Sequence, residues 1–434
     1  MSLTLTAGAP SQFVDRARRW TLVLSTYFGA AGLTQAASVL AGLLFVNFLS
    51  VEEFALYTLA TSILTFFAFV TDLGSTSSLL YFFHRLRGTS DGETFPKYVS
   101  AVLSLRRLGF AVGATLVLPV FLWMARVEGF AWGAAGLASA AILLSVPTQI
   151  EASLRVLVLR LSDRYSLSYR AELLGALARL LAAAGLVVVG ALQAWLAVLA
   201  GVVASLVTAL VAAPGALPAV APEPARRREV LRYLLPTLPA ALYFSIQGPV
   251  VVWLAATFGG TRQIAEVGAL GRLGLVVSLF SGLAGVVFLP RLAHITDETV
   301  YRARYAQFAG LLLGLGALLV SAALVAPDAL LLLIGRRYVG LHHELVLVMI
   351  SAVLSLVGGF AVGVNNARAW TRWQGLAVLL LFVSQTALVA TLSLETSAGI
   401  LLFSAASAGV GLALQVLITG LGFLQPRLVA WTVA

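Results

Sequence analysis

Two arginines stand where arginine is costly. Arg179 lies in Ala176-Leu177-Ala178-Arg179-Leu180-Leu181, and Arg272 in Ala269-Leu270-Gly271-Arg272-Leu273-Gly274, each inside a long apolar run. A charged side chain at the centre of a membrane helix costs about 2.5–3.5 kcal/mol on insertion scales, so such a residue is by default a functional candidate. A guanidinium is a planar fork of donors that matches phosphate geometry. The chemistry on offer is capture of an anion, with one charge from each half of the chain. Glu172 precedes Arg179 by seven residues, which places it two turns away on the same helix face, about 10 Å along the axis. It reads as a carboxylate that holds or tunes Arg179. For Arg272 the competing placements are snorkelling to the surface and pairing with Glu266 at the rim.

Other polar residues extend this set. Asp72, just before Gly74, reads as a gate residue or as a helix cap where its span breaks. Gln35 and Gln247 are placed mid-helix, and Asn47, Gln149, Asn365, Asn366 and Gln385 add further amides; these can bond sugar hydroxyls or neighbouring helices. Glu151 and Arg155 have the spacing of an interfacial i,i+4 pair. Pro236, Pro239, Gly248 and Pro249 predict a kinked seventh helix. His342-His343-Glu344 lacks metal-ligand spacing, and no metal site is expected. Neither a Walker loop nor a dinucleotide fingerprint occurs, so no cofactor is expected and ATP is not the direct energy source. No residue reads as catalytic, and the chain is expected not to be an enzyme.

The elements that must position these residues follow from composition. Of 434 residues, 60% are hydrophobic and 11% charged, whereas soluble domains run near a quarter charged. The expected class is an all-α polytopic membrane protein; the long unbroken apolar runs do not alternate as a transmembrane β-barrel would. The absence of cysteine removes disulfides and thiolate chemistry. The net charge of +10 sits between the apolar runs, so it reports topology, not nucleic acid. The run after Arg18-Arg19 is too long for a signal-peptide core.

Twelve spans are predicted, at 21–46, 54–80, 104–124, 132–152, 166–190, 194–213, 233–257, 265–290, 305–326, 344–366, 372–393 and 398–424. They group into a cytoplasmic segment 1–20, a first six-helix lobe 21–213, a basic linker 214–232 with Arg226, Arg227, Arg228 and Arg232, a second lobe 233–424 and a tail 425–434. With both termini in the cytoplasm, twenty-two basic residues fall inside and four outside, a strong positive-inside bias. Trp20, Trp123, Trp132, Trp195, Trp253, Trp370, Trp373 and Trp431 fall near span ends, as an aromatic belt requires. The halves read as a parallel repeat: each opens with a helix carrying Gln35 or Gln247, followed by Phe54-Ala55-Leu56-Tyr57 or Val267-Gly268-Ala269-Leu270.

The run Leu49-Ser50-Val51-Glu52-Glu53-Phe54-Ala55-Leu56-Tyr57, with Thr71-Asp72-Leu73-Gly74 after it, resembles the opening of the polysaccharide-export family of lipid-linked oligosaccharide flippases. So do Leu231-Arg232-Tyr233-Leu234-Leu235-Pro236-Thr237-Leu238-Pro239, Glu266-Val267-Gly268-Ala269-Leu270, Phe288-Leu289-Pro290-Arg291, and Pro327-Asp328 through Leu333-Ile334-Gly335-Arg336-Arg337-Tyr338. Ala55 stands where that family usually has glycine, and Leu270 where it usually has tyrosine. The resemblance implies two six-helix lobes around a central cavity, as in the multidrug/oligosaccharidyl-lipid/polysaccharide exporter superfamily. It implies a polyprenyl-diphosphate-linked oligosaccharide moved across the cytoplasmic membrane of a bacterium or archaeon by alternating access, for O-antigen, capsule or exopolysaccharide. The implied partners are this glycan, membrane lipid, and the glycan polymerase and glycosyltransferases of the pathway. A drug/cation antiporter of the same fold would want acidic groups facing the cavity, whereas Glu172 shares its face with an arginine. A membrane-embedded polymerase or glycosyltransferase would want a sizeable outer loop or a carboxylate-rich site.

Overall fold

A computed structural model describes residues 29, 31–86, 95–215, 217, 220–235, 238–293, 295 and 297–429. The segment 1–20, with Trp20, and Trp431 in the tail lie outside these residues. Every described element is helical. Among the described residues, eleven helices are long and apolar enough to cross a membrane, and a bent pair, Ala241–Gln247 with Val250–Gly259, makes a twelfth. The twelve occupy the twelve predicted runs in order.

The first lobe holds α1 (Ala31–Phe48), α2 (Val51–Asp72), α3 (Ser75–Leu86), α4 (Phe95–Val127), α5 (Trp132–Leu161), α6 (Tyr165–Val188) and α7 (Ala194–Val211). Local signals set these boundaries. The Ser50 hydroxyl caps α2 by accepting from the Glu53 amide at 3.1 Å, with Glu52 and Glu53 complementing the helix dipole in the first turn. The helix ends where Leu73 and Gly74 turn left-handed, at φ 40° and 80°, and α3 restarts at Ser75. Helices α4 and α5 run past their apolar stretches into basic residues, so Arg155 and Arg160 belong to α5. The expected Glu151–Arg155 pair is present at 2.5 Å.

The segment predicted as an exposed linker contains a helix, α8 (Pro224–Leu234), with proline in its first turn. It is docked on the first lobe. Val230 and Leu234 are buried, Tyr233 stacks on Tyr81 at 4.9 Å, and Glu229 accepts from the Tyr98 hydroxyl. The Lys97 ammonium lies 2.7 Å from Glu223 and holds that carboxyl below its usual range.

The second lobe holds α9 (Leu238–Gln247), α10 (Val250–Leu254, continued by a π turn to Gly259), α11 (Thr261–Leu283), a π turn 284–288 leading to α12 (Leu289–Ala293), α13 (Glu298–Val325), α14 (Pro327–Ile334), α15 (His342–Ala367), α16 (Gln374–Thr391), α17 (Ser397–Leu424) and α18 (Pro426–Val429). The seventh span bends by 60° between Gln247 and Val250. This is the kink expected from Gly248 and Pro249. Asp297 caps α13, accepting from the Thr299 and Val300 amides.

The aromatic belt is only partial. Trp123 and Trp132 are largely exposed, but Trp370 is buried at 4% exposure, and Trp253 donates to Ser62 of α2 at 3.2 Å. Near the membrane surface a buried indole serves as packing, so position along the chain alone does not place it in the belt.

The lobes cross most tightly where α2 meets α11. A Cβ at Gly268 would lie 2.4 Å from Thr58 Oγ1, closer than real carbons approach. Gly268→Val should therefore force the crossing apart, and overpacking of this kind costs about 1–3 kcal/mol. Thermal unfolding of the purified protein should show the loss, with Thr58→Ala restoring part of it.

Candidate functional site

Arg179 and Arg272 converge on one side chain. Tyr57 of α2 is fully buried, held edge-on by Phe45 of α1 at 5.1 Å. The Arg179 guanidinium donates to the Tyr57 hydroxyl at 3.0 Å and stands 5.9 Å from the Phe45 ring. Arg272 reaches from the other lobe to within 5.4 Å of the Tyr57 ring. Its stem crosses α1 where Gly42 leaves room: a Cβ there would sit 3.3 Å from Arg272 Cδ. Cation–π contact with desolvated rings of this kind is worth about 2 kcal/mol. It holds each charge in place without neutralising it.

Neither arginine meets the carboxylate expected for it. Glu172 accepts from Arg160 of α5 at 2.6 and 2.7 Å, and Glu266 pairs with Arg262 at 2.8 Å. A partner on the adjacent helix is nearer than one two turns along the same helix. Glu172 is thus neutralised by a residue other than Arg179, and Arg272 does not pair at the rim. The Nε of Arg179 and the Nε of Arg272 are both buried with no hydrogen-bond partner.

These side chains border connected clefts. A cleft of about 570 Å³ in the first lobe is lined by Arg160, Glu172, Arg179, Gln149, Ser153 and Thr76, among others. A second of about 360 Å³ shares Gln149, Ser153 and Thr76 with it and adds Asp72 and Arg106. Thr65 links that one to a cleft of about 440 Å³ between the lobes, which holds Arg272 with Thr58, Thr61 and Ser62. Ser351 and Ser404, whose hydroxyls bond at 2.8 Å, line both this cleft and a chamber of about 320 Å³ in the second lobe with Gln247, Gln385 and Gln415.

Asp72 stands where its span breaks, the structural one of the two expected places, with its carboxylate held by side chains. It is neither an open gate group nor a free cap. The buried Arg106 of α4 donates to it, and also to Ser75, Thr76 and Ser153, while the Ser75 and Thr76 hydroxyls donate to Asp72 at 2.9 Å each. The network pins the break between α2 and α3. Removing one partner of a buried pair costs about 3–5 kcal/mol; with the Asp72 side chain 32% exposed, Asp72→Ala should fall at the lower end. A fall in thermal stability of that size, with Asp72→Asn losing less, would check this.

The two repeat-related glutamines have found partners. Gln35 Nε2 donates to the Leu275 carbonyl of the other lobe at 3.2 Å. Gln247 and Gln385 exchange two hydrogen bonds, at 2.8 and 3.3 Å. Asn365 is fully buried against Gln415 and Thr419. Tyr57, Arg106 and Arg160 are the site residues that sequence reading missed.

At the opposite end from α8 the lobes are clasped. Arg337, beyond α14, donates to the Leu49 and Asn47 carbonyls at 2.9 and 3.0 Å, and Asn47 donates to the Leu333 carbonyl at 3.0 Å. Glu128, after α4, accepts from Thr261 at 3.4 Å. Burial raises the Glu128 carboxyl above its usual pKa, against the lowering effect of the Thr261 hydroxyl. Tyr338 is buried beside this clasp, which pushes its phenol up to about 12.

No protein-family model matches the chain, and no curated protein sequence does. Solved structures do match. The lipid II flippase MurJ in an inward closed conformation superposes with a TM-score of 0.74 at 14% identity, covering 93% of this chain and 90% of that one. An inward-facing multidrug resistance MATE family transporter of the MOP superfamily gives 0.68 at 19% identity, over 90% and 96%. An outward-facing MATE transporter gives 0.55 at 17% identity, over 92% of each chain. With identities this low, what is shared is the architecture: the chain has the fold of the MATE transporters and of MurJ.

Proposed function

We propose that this protein is a flippase for a polyprenyl-diphosphate-linked oligosaccharide, working by alternating access. The observation that carries the reading is the meeting of Arg179 and Arg272, one from each lobe, at Tyr57, with the nearest carboxylates already taken by Arg160 and Arg262. A diphosphate head crossing about 30 Å of hydrocarbon needs fixed donors and surplus positive charge along its route. Two guanidiniums meeting at Tyr57, each lining its own cleft, supply both, and these clefts supply the space. An anion between them would bridge the lobes, so its arrival and departure would couple to their rocking.

The positive-inside bias places α8 in the cytoplasm and the Arg337 clasp outside. The clasp then closes the outer end, which suits the higher similarity to inward structures. The drug/cation antiporter is the second reading, favoured by the MATE neighbours. Against it stands the pairing of both cleft carboxylates, Glu172 and Asp72, with arginines. The deciding experiment reconstitutes the protein in liposomes. A fluorescent short-chain polyprenyl-diphosphate disaccharide should cross the bilayer faster than in empty vesicles, while an organic cation such as ethidium should not. Transport of the cation alone would sink the flippase reading.

A further inference from the structure

The chamber in the second lobe differs from the clefts beside it. Its volume of about 320 Å³ lies within the range of small-molecule sites. None of its lining residues is charged. Its polar groups are amides and hydroxyls: Gln247 on α9, Gln385 on α16, Gln415, Ser404 and Ser407 on α17, and Ser351 on α15. Such a lining lacks the carboxylates a cation wants, and it sets amides and hydroxyls among apolar side chains, as a ring with polar edges and apolar faces requires.

The amides are held in reserve. Gln247 and Gln385 bond each other twice, as do Gln374 and Gln415 at 3.1 Å. An amide pair can open and re-form its bonds with ligand hydroxyls at little net change, since each amide both donates and accepts. One group has no such arrangement. The Ser407 hydroxyl is 8% exposed by residue and has no hydrogen-bond partner. A buried polar group left without a partner costs about 1–3 kcal/mol, which a ligand hydroxyl would recover once this side chain turns toward the chamber.

We infer that this chamber is a binding site for a neutral, hydroxyl-rich ring, a sugar of the transported head group, bordering the arginine cleft at Ser351 and Ser404. The inference rests on the flippase reading for the identity of the cargo. It divides the head between two places: the diphosphate lies at Arg179 and Arg272, and a sugar lies among the glutamines.

The test uses the full chain in lipid nanodiscs free of glycoside detergents. The probes are methyl glycosides of glucose, galactose, mannose and N-acetylglucosamine, and separately sodium pyrophosphate, each titrated by saturation-transfer NMR. At least one glycoside should bind saturably. The double variant Gln247→Leu with Gln385→Leu should weaken it about tenfold, the size of one or two lost hydrogen bonds, and Arg272→Ala should leave it unchanged. Pyrophosphate should show the reverse pattern. Should the double variant lose its monodisperse elution, Ser407→Val carries the test. No glycoside binding, or binding indifferent to the chamber variants, overturns the inference. Pyrophosphate binding indifferent to Arg272→Ala would instead undo the reading of the arginines and leave the chamber standing.

Discussion

Arg179→Ala and Arg272→Ala should each cut glycan export by one to two orders of magnitude. A charge-assisted hydrogen bond contributes about 1.5–3 kcal/mol, which is roughly 10- to 150-fold in affinity. A guanidinium carries five N–H donors, and the Tyr57 hydroxyl takes one of those of Arg179, so donors remain for a ligand. Removing an unneutralised charge from the bilayer interior relieves a desolvation cost and gives up a cation–π contact of similar size. Thermal stability of Arg272→Ala should therefore hold steady or rise; Arg179→Ala also strands the buried Tyr57 hydroxyl, a cost of about 1–3 kcal/mol that adding Tyr57→Phe should remove. The Arg272→Ala result separates a binding role from a structural one, which would lower stability. Lysine keeps the charge but loses the fork, so Arg272→Lys should retain part of the activity. Tyr57→Phe keeps the ring that faces Arg272 and loses the hydroxyl that accepts from Arg179 and also interacts with Arg272, and its effect should be the mildest. Surface glycan in a strain lacking its own flippase, measured at matched protein levels, checks all four. Undiminished export by both alanine variants would end the case for an arginine-bound diphosphate.

The second large effect concerns the clasp. The chain contains no cysteine, so an introduced pair reacts without background. Glu128→Cys with Thr261→Cys places one thiol on each lobe, where the native side chains are 3.4 Å apart. A short methanethiosulfonate cross-linker should tie the lobes at this end, stop transport almost completely, and release it again on reduction. Either single variant treated alike should be unaffected. Transport that continues in the cross-linked protein would mean that this end does not open. The same contact predicts a pH effect. The closed state holds the Glu128 carboxyl above its usual pKa by burial, so closed protein binds the proton more tightly than open. Acid should favour closure, and the bias should fade as pH rises through the raised value; Glu128→Gln should remove that dependence.

Much of this architecture was legible in the chain, for reasons that particular residues make plain. Hydropathy counts apolar runs well, and the twelve runs became twelve spans. It places ends poorly, because helices continue into charged residues: α5 extends past Arg155 to Leu161. The Arg179 and Arg272 signals survived because an isolated charge in a long apolar run has few explanations. Their partners were hidden. Glu172 bonds Arg160 on the neighbouring helix, whereas spacing arithmetic knows only its own helix. Nothing in the sequence sets Arg106 apart from the adjacent Arg107; the break at Leu73 and Gly74 brings Asp72, Ser75 and Thr76 around it. Tyr57 carried no signal of its own, since a tyrosine early in an apolar helix is ordinary. Only the meeting of α6 and α11 at α2 gives it two arginines.

The docking of α8 has a mechanical consequence. Because that helix is pinned to the first lobe by Glu223, Glu229 and Tyr233, the covalent leash between the lobes is not the long basic segment but the three residues separating Leu234 from Leu238. Fully stretched, that leash spans about 15 Å. The jaws cannot part evenly at this end: they must swing about the leash as a fulcrum, gaping on the side away from it. A lipid whose head enters while its tail stays in the bilayer would have to approach from that far side.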